Sequence, residues 1–534
     1  MTIDYTSAPG IPGLAWFMRV RDGRAEVTHG SRVETTSWFF TDGIWAGAFG
    51  EGRFDQSFFC GTGVIDSRSG LTIVSASTPL DRVFTTTMGP ELFASNSLPF
   101  FLAMIDDSLD EDWLFYRSQF IAAKTGFRIA RRQFSTRRGR RVRVVTGETA
   151  VVGQGGELIP RLRPLDSDFA DFGHYRSTLA ATVAALVANS RCLERRLPLE
   201  PLVSLSAGYD STAVAVLVSE AGGKHAATML RYGEDGELVD HPGMATARLG
   251  LRLKEFERDT WRDRTDLPDA EIAAAGTEFI DIPFLALEEE LPGKVLFVGY
   301  PGDNVWGRHN FRCYRDIVQT DTCGQGLAEY RLRVGFVLCP VAYIGATAHP
   351  SLYRITTSPE MAPWSVGGHY DRPIARRIIE EAGIDRGSFA VRKYAGSALV
   401  YSNTRRYRSS DESAMRAEMS EFMTKAGAAS FVSFCLDGRL HRHRAKMRAV
   451  TGASRVYHKL DALNWRIGRR LHRRGIKSLF PRRIMARIAS RSVVHADYTY
   501  LFPHWGTEVT KAAYASVAPQ FWVGVDPASR HDGK

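Results

Sequence analysis

PLVSLSAGYDSTAVAVLVSEAG, residues 201–222, constrains the fold of this chain more than any other stretch. PLVSLS is the kind of apolar run that a strand buried on both faces requires. It passes through Ser206-Ala207-Gly208-Tyr209-Asp210-Ser211 straight into a helical segment, STAVAVLVSEAG. The same texture returns in HAATMLRY and HPGMATARLGL, so the region is expected to be a parallel sheet covered by helices. At such a corner, hydroxyls and the free N–H groups of a helix N-terminus make an anion cradle. An aspartate inside it is unfavourable unless a cation intervenes, so Asp210 implies Mg²⁺. A plain turn capped by Asp210 or Ser211 is the alternative. The stretch is not a Walker A loop, having neither its glycine spacing nor its lysine.

A second corner has the same construction. KVLFV, residues 294–298, reads as a buried strand and ends on Gly299-Tyr300-Pro301-Gly302-Asp303, leaving a phenol and a carboxylate at the tip of a sharp turn. In an open α/β sheet, ligands bind at the carboxyl ends of the strands. The second corner therefore also belongs to such an edge.

At 534 residues the chain is too long for one ordinary core. Its character changes near residue 165. Short runs such as SFFCGTGVID, GLTIVSAST and RVRVVTGETAVVG make residues 1–165 a β-rich domain, and IPRLRPLDSDFADFG reads as the linker to HYRSTLAATVAALVANSR, an amphipathic helix. The expected class is α/β plus α+β: a β-rich domain over 1–165, a parallel-sheet domain over 166–400, and a helical, basic extension over 401–534. No run of about 18 uncharged apolar residues and no secretory signal is present, so no membrane span is expected. Six cysteines without any CxxC pair fit a reducing compartment and a cytoplasmic location.

Net charge is +10, and between Asp461 and Asp497 no acidic residue offsets the basic run over 466–491. This run is either a solvated face whose arginine stems cover Ile467, Leu471 and Ile476, or a docking surface for an anionic partner. No nucleic-acid motif accompanies it, so nucleic acid is not favoured.

SxGxDS after a strand resembles the pyrophosphate loop of the ATP pyrophosphatases. With the GYPGD turn following it, the order of motifs resembles the asparagine synthetases and, within them, the β-lactam and lasso-peptide macrolactam synthetases. The resemblance implies ATP as substrate and Mg²⁺ held by Asp210 and Asp303. Ser204, Ser206, Ala207, Gly208, Tyr209, Asp210, Ser211 and Gly299 would surround the phosphates, and Met229 and Leu230 would lie nearest adenine. Asparagine synthetases carry a glutamate at the position of Tyr300, whereas β-lactam synthetases carry tyrosine and pair it with a glutamate further on. Glu329, in GLAEY, matches that partner. A phenol of pKa about 10 serves as base for an amine only when a carboxylate polarises it. Lys393, in FAVRKYAGSA beside Arg392 and Ser397, matches the lysine that stabilises the oxyanion, and YDRPIARRIIEEAG resembles the helix entry before it, with Arg376 and Arg377 serving either fold or phosphate.

ELFASNSLPFFLAM resembles a stretch late in the family's Ntn-type glutaminase domain. A working glutaminase needs cysteine after Met1. Here Thr2 stands there, and the glutamine-binding stretches are missing, which implies a scaffold without nucleophile. Ala207, Pro301 and Asn304 depart from the family pattern, and Pro301 removes an N–H from the turn.

These parts imply an AMP-forming amide ligase. It would activate a carboxylate as an acyl-adenylate and join it to an amine on a small molecule, a peptide or a sugar acid, within one molecule or between two. Ammonia-dependent amidation of a small or sugar acid, a catalytically silent nucleotide-binding scaffold and a tRNA-modifying relative stand as alternatives.

Overall fold

In the computed structural model, the described residues run from 2 to 518 apart from 68–69, 122–125, 127, 129–131, 154–155, 278, 311–312, 317–321, 391–411, 440–455, 458, 468, 471–479, 481–483, 486–487 and 489–498. The fold is mixed α/β, β-rich in its first part and built on a parallel sheet in its second.

The β-rich part is two stacked sheets. One has seven strands in the order Thr2–Ser7, Arg24–His29, Trp16–Arg21, Glu91–Ser95, Val83–Met88, Arg141–Val145, Gln133–Ser135. The other has six, in the order Leu158–Leu162, Glu148–Val152, Gly70–Val74, Gly63–Ser67, Phe39–Thr41, Glu34–Thr35. Strand Trp16–Arg21 shows why the sheets stack. Trp16, Met18 and Val20 point into the core shared with Phe40, Val64, Ile73 and Val152, while Phe17 faces the other way. There it joins Phe93 and Phe100, under helix Leu98–Met104. The stretch expected as a linker contributes strand Leu158–Leu162, paired to Glu148–Val152, and the long helix begins at Phe172, where Asp171 caps the N–H of His174 at 2.8 Å.

The parallel sheet runs Arg252–Glu257, His225–Leu230, Glu200–Ser204, Lys294–Val298, Val337–Pro340. In sequence order this is 3-2-1-4-5, so the winding reverses between Glu200–Ser204 and Lys294–Val298, which pair directly (Leu202 opposite Leu296). Loops leaving neighbouring strands at such a reversal diverge to opposite faces and open a crevice. Both acid-bearing corners leave from these two strands.

A buried polar seam joins the two parts. Arg331, in helix Leu327–Val334, reaches across to Asp81 (2.5 Å) and Asp42 (3.1 Å), with all three side chains almost wholly buried. Asp42 also accepts from Thr62 and from Asn96 (2.6 Å). Arg82 donates to the carbonyls of Phe120 (2.9 Å) and Ala275 (3.3 Å). Further along the chain, helix Phe502–Lys511 lies on helix Pro268–Ala274, where Gly506 leaves no room for a Cβ against the backbone of Ala270 and Ala274. Tyr514 then stacks on Phe100 with ring centroids 4.4 Å apart, and its hydroxyl donates to Ser97 (3.3 Å).

Among the described residues no helix is long and apolar enough to cross a membrane, and no disulfide joins any of the six cysteines. Of the basic run 466–491, only scattered residues fall within the described part, including exposed Arg466, Arg469 and Arg470.

Candidate functional site

The Ser206–Ser211 loop is stitched to itself by its own hydroxyls. Ser211 Oγ lies 2.9 Å from Ser206 Oγ and donates to the Ser206 carbonyl (3.1 Å), and Thr212 Oγ1 donates to the Gly208 carbonyl (2.7 Å). Gly208 caps helix Tyr209–Glu220, and no cap side chain accepts a first-turn N–H. Tyr209 turns inward. It is fully buried against Tyr370 and Phe389, and Arg376 donates to its hydroxyl, so the side chain anchors the loop.

The second corner fits against the first because two glycines allow it. A Cβ on Gly299 would lie 2.6 Å from the backbone of Asp210 and Ser211, and one on Gly302 would lie 2.5 Å from the Asp210 carboxylate. The GYPGD turn therefore rests directly on Asp210, with Asp303 one residue beyond the contact. Asn304 Nδ2 donates to Asp303 Oδ1 at 2.9 Å, and the Tyr300–Pro301 bond is cis.

Two further groups occupy the loop, and neither was singled out in the sequence. Arg372, at the entry to helix Pro373–Glu381, pairs with Asp210 Oδ2 and lies over the Tyr370 ring, and burial lowers its pKa to about 10. Asp240 accepts the N–H of Ala207 at 2.8 Å, and burial raises its pKa. Arg376 and Arg377, the arginines noted from sequence, are instead engaged by Tyr209 and Glu380, and by Glu360 and Glu381. The other oxygen of Asp210, Oδ1, is buried without a partner among the described residues. A carboxylate with one buried free oxygen inside a helix N-terminal loop is a fitting donor for a divalent cation.

Ser204 ends its strand half-buried. Met229 and Leu230 are half-buried at the end of the neighbouring strand, opposite Phe256 and Glu257. Lys393 lies outside the described residues. Just before it, Ala390 donates its N–H to the Ala207 carbonyl (2.6 Å), which brings the chain leading to Lys393 against the loop.

The expected pairing of Tyr300 with Glu329 is not made. Glu329 points into the seam, where Oε1 accepts the N–H of Leu98 (2.8 Å) at the start of helix Leu98–Met104, and burial raises its pKa to about 7. The free N–H of a helix start attracts the carboxylate more strongly than a neutral phenol does. Tyr300 keeps its hydroxyl buried with no hydrogen bond among the described residues, and burial together with the charge of Asp281 pushes its ionisation well above the usual tyrosine range. Thr2 is exposed on the edge strand Thr2–Ser7. No protein-family model and no curated protein matches this chain.

Proposed function

We propose that the chain is an ATP-dependent, AMP-forming amide ligase. The observation that carries this reading is the contact of two acid-bearing corners at the reversal point of a parallel sheet, permitted by Gly299 and Gly302. Asp210 and Asp303 would hold Mg²⁺, which supplies positive charge to the triphosphate. The Ser206–Ser211 hydroxyls and the N–H groups of the helix start bind the phosphate oxygens. A substrate carboxylate attacks the α-phosphorus, the bond to the β-phosphate oxygen breaks, and pyrophosphate departs past Arg372, whose guanidinium already faces the loop. An amine then attacks the acyl carbon and AMP leaves, its phosphate taking the amine proton, while the Tyr300 hydroxyl, buried at this corner without a partner among the described residues, is available to hydrogen-bond the attacking amine. Lys393 is assigned the oxyanion on resemblance alone. Thr2 at an exposed edge fits a first domain that supplies no ammonia, so the amine belongs to a substrate or is free ammonia.

A second reading, a scaffold that binds no nucleotide, has one observation in its favour: Arg372 and Asp240 already occupy a carboxylate and an N–H of the loop. Exchange of labelled pyrophosphate into ATP, driven by candidate acids, separates the two. The ligase reading expects acid-dependent exchange that disappears in Asp210→Asn and Asp303→Asn with the fold intact. Exchange near the native rate in both variants would remove the assignment, and its absence from the native protein with every acid would favour the scaffold.

A further inference from the structure

Tyr300 stands at the corner where the amine would react, yet the carboxylate expected to serve it is bound elsewhere. A different acid lies beneath it. Asp281, in the helical segment Phe279–Glu290, is wholly buried in an otherwise apolar run, IDIPF. Its carboxylate accepts the Gly324 N–H on both oxygens (2.8 and 3.0 Å) and the Gly326 N–H on Oδ2 (3.0 Å). The turn so held is the one that touches Tyr300. Gly324 has φ +81°, and a Cβ there would collide with the Tyr300 hydroxyl and ring edge. The phenol is thus seated on a glycine that Asp281 fixes.

We infer that Asp281 is the positioning residue for Tyr300: it clamps the 323–326 turn under the phenol and places a negative charge beside it, a role resting on the ligase reading and carried out without Glu329. Two N–H groups could be satisfied by a neutral amide. The carboxylate in addition sets a negative charge beside the phenol, which an amide would not. Beside an unpartnered phenol, that charge keeps the phenol protonated while the site is empty and attracts a substrate ammonium to it. Among the described residues, Cys323, Tyr343 and Asp81 also act on Tyr300 electrostatically.

The test reads Tyr300 directly. Tyr300→2,3,5-trifluorotyrosine places a ¹⁹F-NMR reporter whose phenol ionises at lower pH than tyrosine, within the stable range of a protein. Adding Asp281→Asn should lower its titration midpoint by about one pH unit or more, whereas adding Glu329→Gln should leave it in place. In the tyrosine-bearing protein, Asp281→Asn should keep acid-dependent pyrophosphate exchange within about threefold and cut amide formation on the order of 10–100-fold. Gly324→Ala, which retains Asp281 but displaces the phenol, should give the same split, and it serves if Asp281→Asn does not fold. An unmoved midpoint in Asp281→Asn, an equal shift in Glu329→Gln, or equal loss of exchange and amide formation in Gly324→Ala overturns the inference. If the native protein shows no exchange, the ligase reading falls while the fluorine titration still decides the part played by Asp281.

Discussion

The switch-point corner and the domain seam are both built on aspartates, and they treat them oppositely. At the seam, Asp42 and Asp81 are saturated: Arg331 bridges them, and Thr62 and Asn96 take further lone pairs. At the corner, one oxygen of Asp210 and the Tyr300 hydroxyl are each buried without a partner among the described residues. Buried polar atoms are normally satisfied, and those that are not mark places where something else binds. The seam aspartates therefore read as structure and Asp210 as site, although Arg331 Nη1 and Glu329 Oε2 also lie buried in the seam without a partner among the described residues.

The largest expected effect breaks the seam. Arg331→Met would leave two carboxylates buried without their cation, a loss of about 3–5 kcal/mol. Urea unfolding should show it, and adding Asp81→Asn should recover part of the loss. A variant as stable as the native chain would mean that water already neutralises the pair.

Gly302→Ala attacks the corner instead. Its Cβ would press on the Asp210 carboxylate, costing about 1–3 kcal/mol by overpacking while abolishing pyrophosphate exchange. Seam variants that still fold should keep exchange. The comparison fails if Gly302→Ala exchanges normally.

Glu329 joins the two regions through pH. Its pKa stands near 7 in the fold against 4.5 for the ordinary side chain, because burial disfavours its charge. Between these values the unfolded chain releases the proton and the folded chain keeps it. Stability is therefore full below about pH 4.5 and declines as pH rises to about 7, by on the order of 3 kcal/mol for this group. Glu271, also raised to about 7 by burial, adds to the same window. Glu329→Gln should flatten part of that decline in melting scans from pH 4.5 to 8; a decline of unchanged depth would place the effect on other groups.

Thr2→Ala should be silent. Glutamate release from glutamine, measured beside ATP consumption, should stay at background in native and variant chains alike, and turnover lost on substitution would restore a nucleophile to the edge strand.

The corner was legible in the sequence because its information is local. Ser206 to Ser211 and Gly299 to Asp303 each fit within one strand-to-helix turn, so the motifs and the resemblance they carry set Asp303 opposite Asp210, and the structure brings the two corners into contact. The seam was not legible. Arg331 stands 250 residues from Asp81 and 289 from Asp42, and no periodicity encodes such a pair. Glu329 shows the hazard: its place after Gly326-Leu327 suggested a partner for Tyr300, and a helix start 231 residues upstream took it. Asp281 and Arg372 escaped notice for the same reason, one hidden in an apolar run and one among several arginines. The stretch read as a linker hid a strand because Pro160 and its polar neighbours suit an edge as well as a connection.

The stacking of Tyr514 on Phe100 has a consequence for synthesis. The aromatic face of the first domain, Phe17, Phe93 and Phe100, receives part of its cover from a residue more than 400 positions downstream. At 5–20 residues per second a ribosome needs roughly 20–80 s to reach it. Throughout that interval the nascent β-rich domain presents part of an apolar face, so the time spent before Tyr514 emerges, more than any intrinsic folding rate, sets how long the domain depends on chaperone shelter.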